Sequence, residues 1–143
     1  MTPKISEEIL KKHGLRVTPR RLAVYELFAK ARKPLDVREI KNSLLLTIKI
    51  NKATIYRILT AFLQNNLIAQ VELAEGKFRY ERADKMHHHH LVCLKCNRIQ
   101  DIGNCSISRL EDIIRRKLSF AVKTHKLEFF GICGQCQIRY NNL

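Results

Sequence analysis

The chain has 143 residues, of which 45% are hydrophobic and 28% are charged, so a buried core is expected in one domain or in two small ones. It contains no run of about 18 apolar residues, which excludes a membrane-spanning helix, and its start lacks the apolar core of a secretory signal, so we expect a cytoplasmic protein. The net charge of +14 favours an anionic partner, nucleic acid before a membrane surface, although surplus lysine that serves only solubility gives the same number.

Helical signals dominate the first half of the chain. Residues 5–13 read as a short amphipathic helix that ends at Gly14, a common helix stop. Thr18, Asp36 and Asn51 each precede a run with apolar residues at near-helical spacing, and each is a predicted N-cap.

A hairpin signal follows these helices. Two runs of roughly alternating polarity flank Glu75-Gly76. The three helices with predicted N-caps, followed by this hairpin, have the order of elements of a winged helix-turn-helix. Residues 83–86 read as a connector, which places a domain boundary after Ala83. The part before this boundary holds 17 basic and 8 acidic residues, and therefore +9 of the net charge, which indicates the first domain as the side that contacts nucleic acid.

The second half is predicted to mix strands and helices. Strands are expected at 89–93 and 97–102, an amphipathic helix at 106–119, an alternating strand segment at 121–133 and a short helical piece from 134. The expected fold class is α+β, with a winged helix-turn-helix domain over residues 1–83 and a small α/β domain over residues 84–143.

Two Cys-x-x-Cys pairs, Cys93 with Cys96 and Cys133 with Cys136, lie in the second half. Two such turns brought together supply four thiolates to a tetrahedral zinc ion with Zn–S bonds of ~2.3 Å, and a site closed by four thiolates is structural. A redox-active pair and an iron–sulfur cluster are the alternatives. The fifth cysteine, Cys105, is expected to be a bystander.

Four consecutive histidines, residues 87–90, precede the first cysteine pair. Their interior position argues against a purification tag, and a solvated patch is the simplest alternative to a metal site. On a strand, successive side chains point to opposite faces, so one run can serve two separate metal sites. Imidazole favours zinc, iron, nickel and copper, and added carboxylates shift a site toward iron or manganese. The candidate carboxylates are Glu81, Asp84 and Asp101.

Four stretches taken together indicate a family: "GLRVTPRR" (14–21), "ATIYRIL" (53–59), "HHHHLVCLKC" (87–96) and "LEFFGICGQC" (127–136). With them the chain resembles the ferric uptake regulator (Fur) family of bacterial metalloregulators over nearly its full length. The resemblance implies a winged-helix DNA-binding domain joined by a hinge to an α/β dimerisation domain. It also implies a homodimer that binds AT-rich inverted repeats in double-stranded DNA when loaded with metal, usually as a repressor.

The resemblance assigns roles to single residues. Tyr56 and Arg57 correspond to recognition-helix contacts with the major groove and its phosphates. Thr54, on the same helix, is also expected to contact DNA. Arg16 corresponds to a basic residue that reaches a narrow, AT-rich minor groove. A core position is the alternative for Tyr56. The ligands of the structural zinc (Zn²⁺) correspond to Cys93, Cys96, Cys133 and Cys136.

The resemblance also implies two further metal sites. The regulatory site spans the hinge and comprises Glu81, His88, His90 and Asp101. The additional site lies within the second domain and comprises His87, His89 and His125. For the last of these, a plain surface histidine on a strand is the alternative.

The sequence departs from the family pattern at several positions. Ser108 stands where the additional site usually has a carboxylate, and Glu111 lies one helical turn beyond it. His89 stands where Asp is frequent, so the donor atoms of that site are softer than in most members. Ahead of the third helix, where members commonly place a metal-binding histidine, the chain has Lys33-Pro34. The regulatory site then keeps Glu81 as its main anchor to the DNA-binding domain, and its metal affinity, metal choice or allosteric coupling would differ. Metal-independent DNA binding is a further alternative.

The identity of the effector stays open. Iron (Fe²⁺) is the leading regulatory ion, and Mn²⁺ and Zn²⁺ are alternatives. Asp101 matches peroxide-sensing members, whereas iron-sensing members usually have Glu there. The missing histidine ahead of the third helix argues the other way, because it is itself oxidised in such sensors.

Proteins of other classes fit the sequence less well. No HExxH or nucleophile motif accompanies the histidines, so neither a zinc-dependent hydrolase nor a small organic substrate is expected. A metal buffer or a zinc-ribbon RNA-binding module would leave "ATIYRIL" and the hairpin without a role. We therefore expect a metal-responsive transcriptional regulator that is not an enzyme and does not associate with membranes.

Overall fold

The computed structural model describes residues 3–73, 76–103 and 107–141, so Glu75 of the hairpin signal and Cys105 lie outside the described residues. The chain divides into two compact units, the first ending at Asp84 and the second beginning at Lys85. No helix in the described ranges has the length and apolar character needed to cross a bilayer.

The described part of the first unit contains four helices and one β-hairpin. The side chain of Thr18 accepts a hydrogen bond from the Arg21 backbone N–H (3.3 Å), and that of Asn51 accepts one from Thr54 (2.8 Å), so the predicted caps are confirmed. The elements are α1 (Pro3–Lys12), α2 (Pro19–Lys30), α3 (Val37–Leu44), α4 (Lys52–Gln64), β1 (Ile68–Leu73) and β2 (Lys77–Arg82).

Asp36 forms a capping box at the start of α3. Its carboxylate accepts a hydrogen bond from the Glu39 backbone N–H (2.7 Å), and the Glu39 carboxylate accepts one from the Asp36 backbone N–H (2.9 Å). The sequence predicted the cap but not this reciprocal bond.

The four helices of the first unit enclose one hydrophobic core. Phe62 of α4 is fully buried and meets Tyr25 of α2 edge to face, with ring centroids 6.3 Å apart. Ile55 and Leu59 are buried on the same side of α4. This apolar stripe fixes the rotation of α4, so its other side is left to solvent.

The wing, defined as the β1–β2 hairpin, is antiparallel and pairs Ile68 with Arg82. Two backbone hydrogen bonds of 2.8 Å between Leu35 and Tyr80 attach it to the segment before α3. The wing is therefore held at the N-terminal end of α3 rather than by its own two strands alone.

The described part of the second unit contains a three-stranded sheet with order β4-β3-β5, in which β3 pairs antiparallel with β4 and parallel with β5. The alternating pattern over 121–133 predicted too long a strand. The reason is that its neighbour in the sheet is short: only residues 90–93 of β3 pair with β5. The elements are β3 (His89–Cys93), β4 (Ile99–Ile102), α5 (Ser108–Leu118), β5 (Glu128–Gly131) and α6 (Gly134–Asn141).

Candidate metal clusters and nucleic-acid interface

The four paired cysteines converge at one end of the β3–β5 pair. Cys93 ends β3, the Leu94 backbone N–H donates to the Gly131 carbonyl (2.8 Å), and Cys133 directly precedes α6. The Sγ atoms of Cys96 and Cys133 are 3.7 Å apart, and all four Sγ atoms lie within 4.8 Å of one another. A tetrahedron of Zn–S bonds of ~2.3 Å has edges of about 3.7 Å, so the donor set fits zinc.

Hydrogen bonds in this cluster stabilise a thiolate. The Cys133 backbone N–H donates to Cys93 Sγ (3.3 Å), and this bond with others from Cys96 and Lys95 lowers the pKa of the Cys93 thiol to about 6. The hydrogen bond with the Cys133 side chain and burial raise the pKa of the Cys136 thiol to about 12. Four thiolates cannot crowd together without a cation, and a divalent metal is the natural counter-ion.

The histidine run divides between two groups of side chains. The rings of His87 and His89 have centroids 4.7 Å apart, and those of His88 and His90 have centroids 4.9 Å apart. His89 and His90 are the first two residues of β3 and, as neighbours on a strand, face opposite sides of the sheet. His87 and His88 lie just before β3, and each packs against the histidine two residues further on.

His125 joins the pair of His87 and His89. Its Nε2 lies 2.9 Å from Nε2 of His87, and its Nδ1 lies 2.9 Å from Oε1 of Glu111. His89 is buried, and burial together with the neighbouring imidazoles lowers the pKa of His89. Ser108 is the first residue of α5, one turn before Glu111.

Asp101 accompanies the pair of His88 and His90. It is the β4 residue directly opposite His90, with its carboxylate 3.7 Å from Nε2 of His90 and 4.0 Å from Nε2 of His88. Lys85 also donates to Asp101 (3.1 Å). Glu81 belongs to the first unit, where it is a buried residue of β2.

Asp84, the remaining candidate carboxylate, is bound within the first unit. Its Oδ1 accepts a hydrogen bond from Nε of Arg82 (2.8 Å). This hydrogen bond and the Arg82 charge lower the pKa of the Asp84 carboxyl, against the effect of burial. Asp84 is thus an ion-pair partner and not an isolated ligand donor.

The outer side of α4 carries the predicted DNA-contacting residues. Tyr56 is 45% exposed, which argues against the core alternative for this residue. Arg57 is also exposed, and the Lys52 ammonium lies 5.8 Å from the centroid of the Tyr56 ring. An exposed helix face with aromatic and cationic side chains suits a nucleic-acid groove.

Arg16 and Thr54 line one basic cleft of about 740 Å³ between the start of α2 and the start of α4. The sequence reasoning missed three further cations of this cleft, Arg20, Arg21 and Lys49. Arg21 donates to the Arg16 carbonyl (3.0 Å) and so supports the loop that carries Arg16. Arg20 and Arg21 follow Thr18-Pro19 directly, and this pair of adjacent charges could have identified them from the sequence as candidate DNA contacts.

An ion-pair network occupies the segment in which Lys33-Pro34 replaces the expected histidine. Lys33 Nζ lies 2.5 Å from Oε1 of Glu39, and Arg79 Nη1 lies 2.8 Å from Oε2 of the same carboxylate. Arg79 is buried and also donates to the Pro34 carbonyl (3.3 Å). These bonds connect the wing to the start of α3.

Fold and clusters together define a winged-helix protein with a metal-ligand-rich α/β unit, the architecture of a metal-responsive regulator. Residues 12–130 match the sequence profile of the ferric uptake regulator family, and the chain belongs to this family of DNA-binding transcription regulators.

Individual relatives agree with this assignment and with the α+β fold class. The ferric uptake regulation protein of Neisseria gonorrhoeae is 36% identical over 132 residues, which cover 91% of this chain and 92% of that protein. The Helicobacter pylori ferric uptake regulator, whose structure is described as revealing three functional metal-binding sites, has a TM-score of 0.81 at 27% identity and covers 96% of this chain and 95% of its own. The structure of a zinc-bound manganese uptake regulator has a TM-score of 0.75 at 29% identity, and the match covers 90% of this chain and 98% of that one.

Proposed function

We propose that the chain is a metal-responsive transcriptional repressor that binds AT-rich inverted-repeat operators in double-stranded DNA as a homodimer, with Fe²⁺ as the regulatory ion. The observation that carries the proposal is the split of residues 87–90 into two imidazole groups, in a chain whose other unit presents an exposed recognition helix. The first domain, residues 1–83, binds DNA, and the second, residues 84–143, senses metal and dimerises.

The DNA contacts proposed for the first domain come from α4 and the basic cleft. Tyr56 and Arg57 enter the major groove with Thr54 beside them, and Arg16 reaches the adjacent minor groove. The exposure of the Tyr56 ring and the shared cleft of Arg16 and Thr54 support this set. An arginine favours the enhanced negative potential of a narrow AT-rich minor groove.

Three metal sites are proposed for the second domain and the hinge. Zn²⁺ held by the four paired cysteines stabilises the domain, since its binding free energy is also folding free energy. The regulatory ion is held by His88, His90 and Asp101 with Glu81 from the first domain, so occupancy favours one orientation of the two domains. The additional site comprises His87, His89 and His125.

The homodimer is supported by apolar surface on the second unit. β5 pairs with β3 on one side, and its side chains Phe129 and Phe130 are 45% and 42% exposed. Among its described residues α5 has none buried, and Leu118 is 71% exposed. A second copy that covers these residues would bury a surface that a monomer leaves in water.

Peroxide sensing through iron is the second candidate function. The feature that favours it is Asp101, which lies beside both His88 and His90. A neighbour that is a manganese uptake regulator with zinc bound supports Mn²⁺ and Zn²⁺ as further alternatives for the ion.

His90→Ala tests the metal switch. We expect the variant to keep its fold and its structural zinc but to lose most of the increase in operator affinity that Fe²⁺ gives the unmodified protein under anaerobic conditions. Fluorescence anisotropy with a labelled AT-rich inverted repeat measures the affinity, and elemental analysis measures metal per chain. Lys126→Ala, an exposed change in the same unit, is the matched control.

Two outcomes would contradict this proposal. If the unmodified protein binds the operator equally well with and without Fe²⁺, Mn²⁺ or Zn²⁺, the chain is a metal-independent DNA binder. If His90→Ala responds to metal as the unmodified protein does, the switch does not use this imidazole. Hydrogen peroxide added to the Fe²⁺-loaded protein distinguishes peroxide sensing, which releases DNA irreversibly and adds oxygen to a ligand histidine.

A further inference from the structure

The two nitrogens of the His125 ring face different partners. Nε2 lies 2.9 Å from Nε2 of His87, and the ring centroid lies 5.3 Å from that of His89. On the opposite edge of the ring, Nδ1 lies 2.9 Å from Oε1 of Glu111. His125 therefore stands between a group of imidazoles and a single carboxylate.

Glu111 determines which nitrogen of His125 offers a lone pair. An ionised carboxylate only accepts hydrogen bonds, so it draws the proton of the neutral imidazole to Nδ1. Nε2 then carries its lone pair on the side of the other two histidines, which is the tautomer that can bind a metal ion there. A carboxylate behind a ligating imidazole also fixes the ring and raises its basicity.

The donor atoms that face one another in this group are all imidazole nitrogens. Within the described ranges, the donors of His87, His89 and His125 lie within 4.8 Å of one another. Glu111 contacts the group through Nδ1 of His125, the nitrogen that points away from His87. One turn earlier in the same helix stands Ser108, which has no carboxylate to contribute.

We propose that Glu111 is a positioning residue for His125 rather than a metal ligand, and that the three imidazoles form a site that selects Zn²⁺ or Cu²⁺ over Mn²⁺. This inference rests on the proposed additional metal site and concerns how that site is built. Three neutral nitrogen donors suit zinc and copper, whereas manganese prefers carboxylate oxygens. A zinc ion with three protein ligands keeps its fourth position for solvent.

The experiment measures Zn²⁺ binding to the full-length protein that already carries its structural zinc. All proteins contain His90→Ala, so that the regulatory site does not compete for the added ion. Isothermal titration calorimetry is compared for this background and for three variants of it: Glu111→Ala, Glu111→Gln and Asp112→Ala. Asp112 is the matched control, because it is the next residue of α5 and forms an exposed ion pair with Arg115.

Glu111→Ala should weaken Zn²⁺ binding by roughly 10- to 100-fold, the usual effect of losing such a carboxylate. Glu111→Gln should recover part of that loss, because its amide oxygen still accepts the Nδ1 proton, and Asp112→Ala should leave the affinity unchanged. Equal affinities for Glu111→Ala and Asp112→Ala would overturn the positioning role while leaving the metal site itself intact. No Zn²⁺ uptake by the background protein would overturn the site and the role together.

Ligand identity is tested by spectroscopy and by one swap of donor type. With Cu²⁺ bound, electron paramagnetic resonance should show hyperfine coupling to three imidazole nitrogens, and Glu111→Ala should reduce it to two. His89→Asp adds a carboxylate oxygen and should shift the ratio of Mn²⁺ to Zn²⁺ affinity toward Mn²⁺. An unchanged ratio, or coupling to fewer than three nitrogens in the background protein, would contradict the all-imidazole site.

Discussion

Lys49 extends the proposed DNA contact beyond the recognition helix. It lies in the loop before α4 and lines the same cleft as Arg16 and Thr54. A lysine at such a place contacts phosphates and carries no sequence information. In the proposed complex, Lys49 therefore adds affinity for any duplex, while sequence preference comes from Tyr56, Arg57 and Arg16.

Lys49→Ala should weaken binding to the operator and to an unrelated duplex by the same factor. The slope of log K against log salt concentration should fall by about 1, because one phosphate contact is lost. Anisotropy titrations over a range of salt concentrations measure both quantities, with Lys126→Ala as the control. A loss confined to the operator would show that Lys49 reads bases instead.

At the scale of elements, the carboxylate of Glu39 joins the start of α3 to the wing. Burial alone raises the pKa of this carboxyl, but the hydrogen bonds from Lys33 and the Asp36 backbone and the charge of Arg79 outweigh it, so the pKa is lowered below its ordinary value of 4.5. A carboxyl with a lowered pKa in the folded state stabilises the protein above its unfolded pKa. That contribution is lost as the pH falls through the folded pKa.

Glu39→Gln should lower the free energy of unfolding at neutral pH by on the order of 1 kcal/mol and should flatten the decline of stability below pH 4.5. The capping geometry survives, since Gln also serves in a capping box. Urea unfolding at a series of pH values, followed by circular dichroism, measures the effect. Glu72→Gln, an exposed change on β1, is the control, and equal pH profiles for the two variants would contradict the role of Glu39.

Local signals explain why the elements could be read from the sequence and the tertiary contacts could not. The side chains of Thr18, Asp36 and Asn51 accept hydrogen bonds from backbone N–H groups three residues further along, so a short stretch of sequence is enough to predict each cap. The contact of Arg79 with Glu39 joins residues 40 positions apart, and no spacing rule reveals it. The same holds for the contact of Glu111 with Nδ1 of His125, which joins residues 14 positions apart.

For the whole molecule, the two units have different sources of stability. The buried cluster of the first unit runs from Leu10 to Tyr80 and includes four residues of α4. In the second unit, α5 has no buried residue among those described, and few hydrophobic side chains outside the sheet are covered. With so little core, this unit is the one that the proposed zinc and the proposed dimer would stabilise.

Cys96→Ser should therefore unfold the second unit and convert the proposed dimer to a monomer, while the helices of the first unit stay folded. One thiolate fewer leaves the zinc with an incomplete shell, and the free energy of metal binding that supports this unit is lost. Analytical ultracentrifugation measures the mass, and amide hydrogen exchange reports protection unit by unit. Lys95→Ser, in the same turn with all four thiols kept, should behave as the unmodified protein. A folded dimer of Cys96→Ser would show that neither the zinc nor the dimer depends on this cysteine.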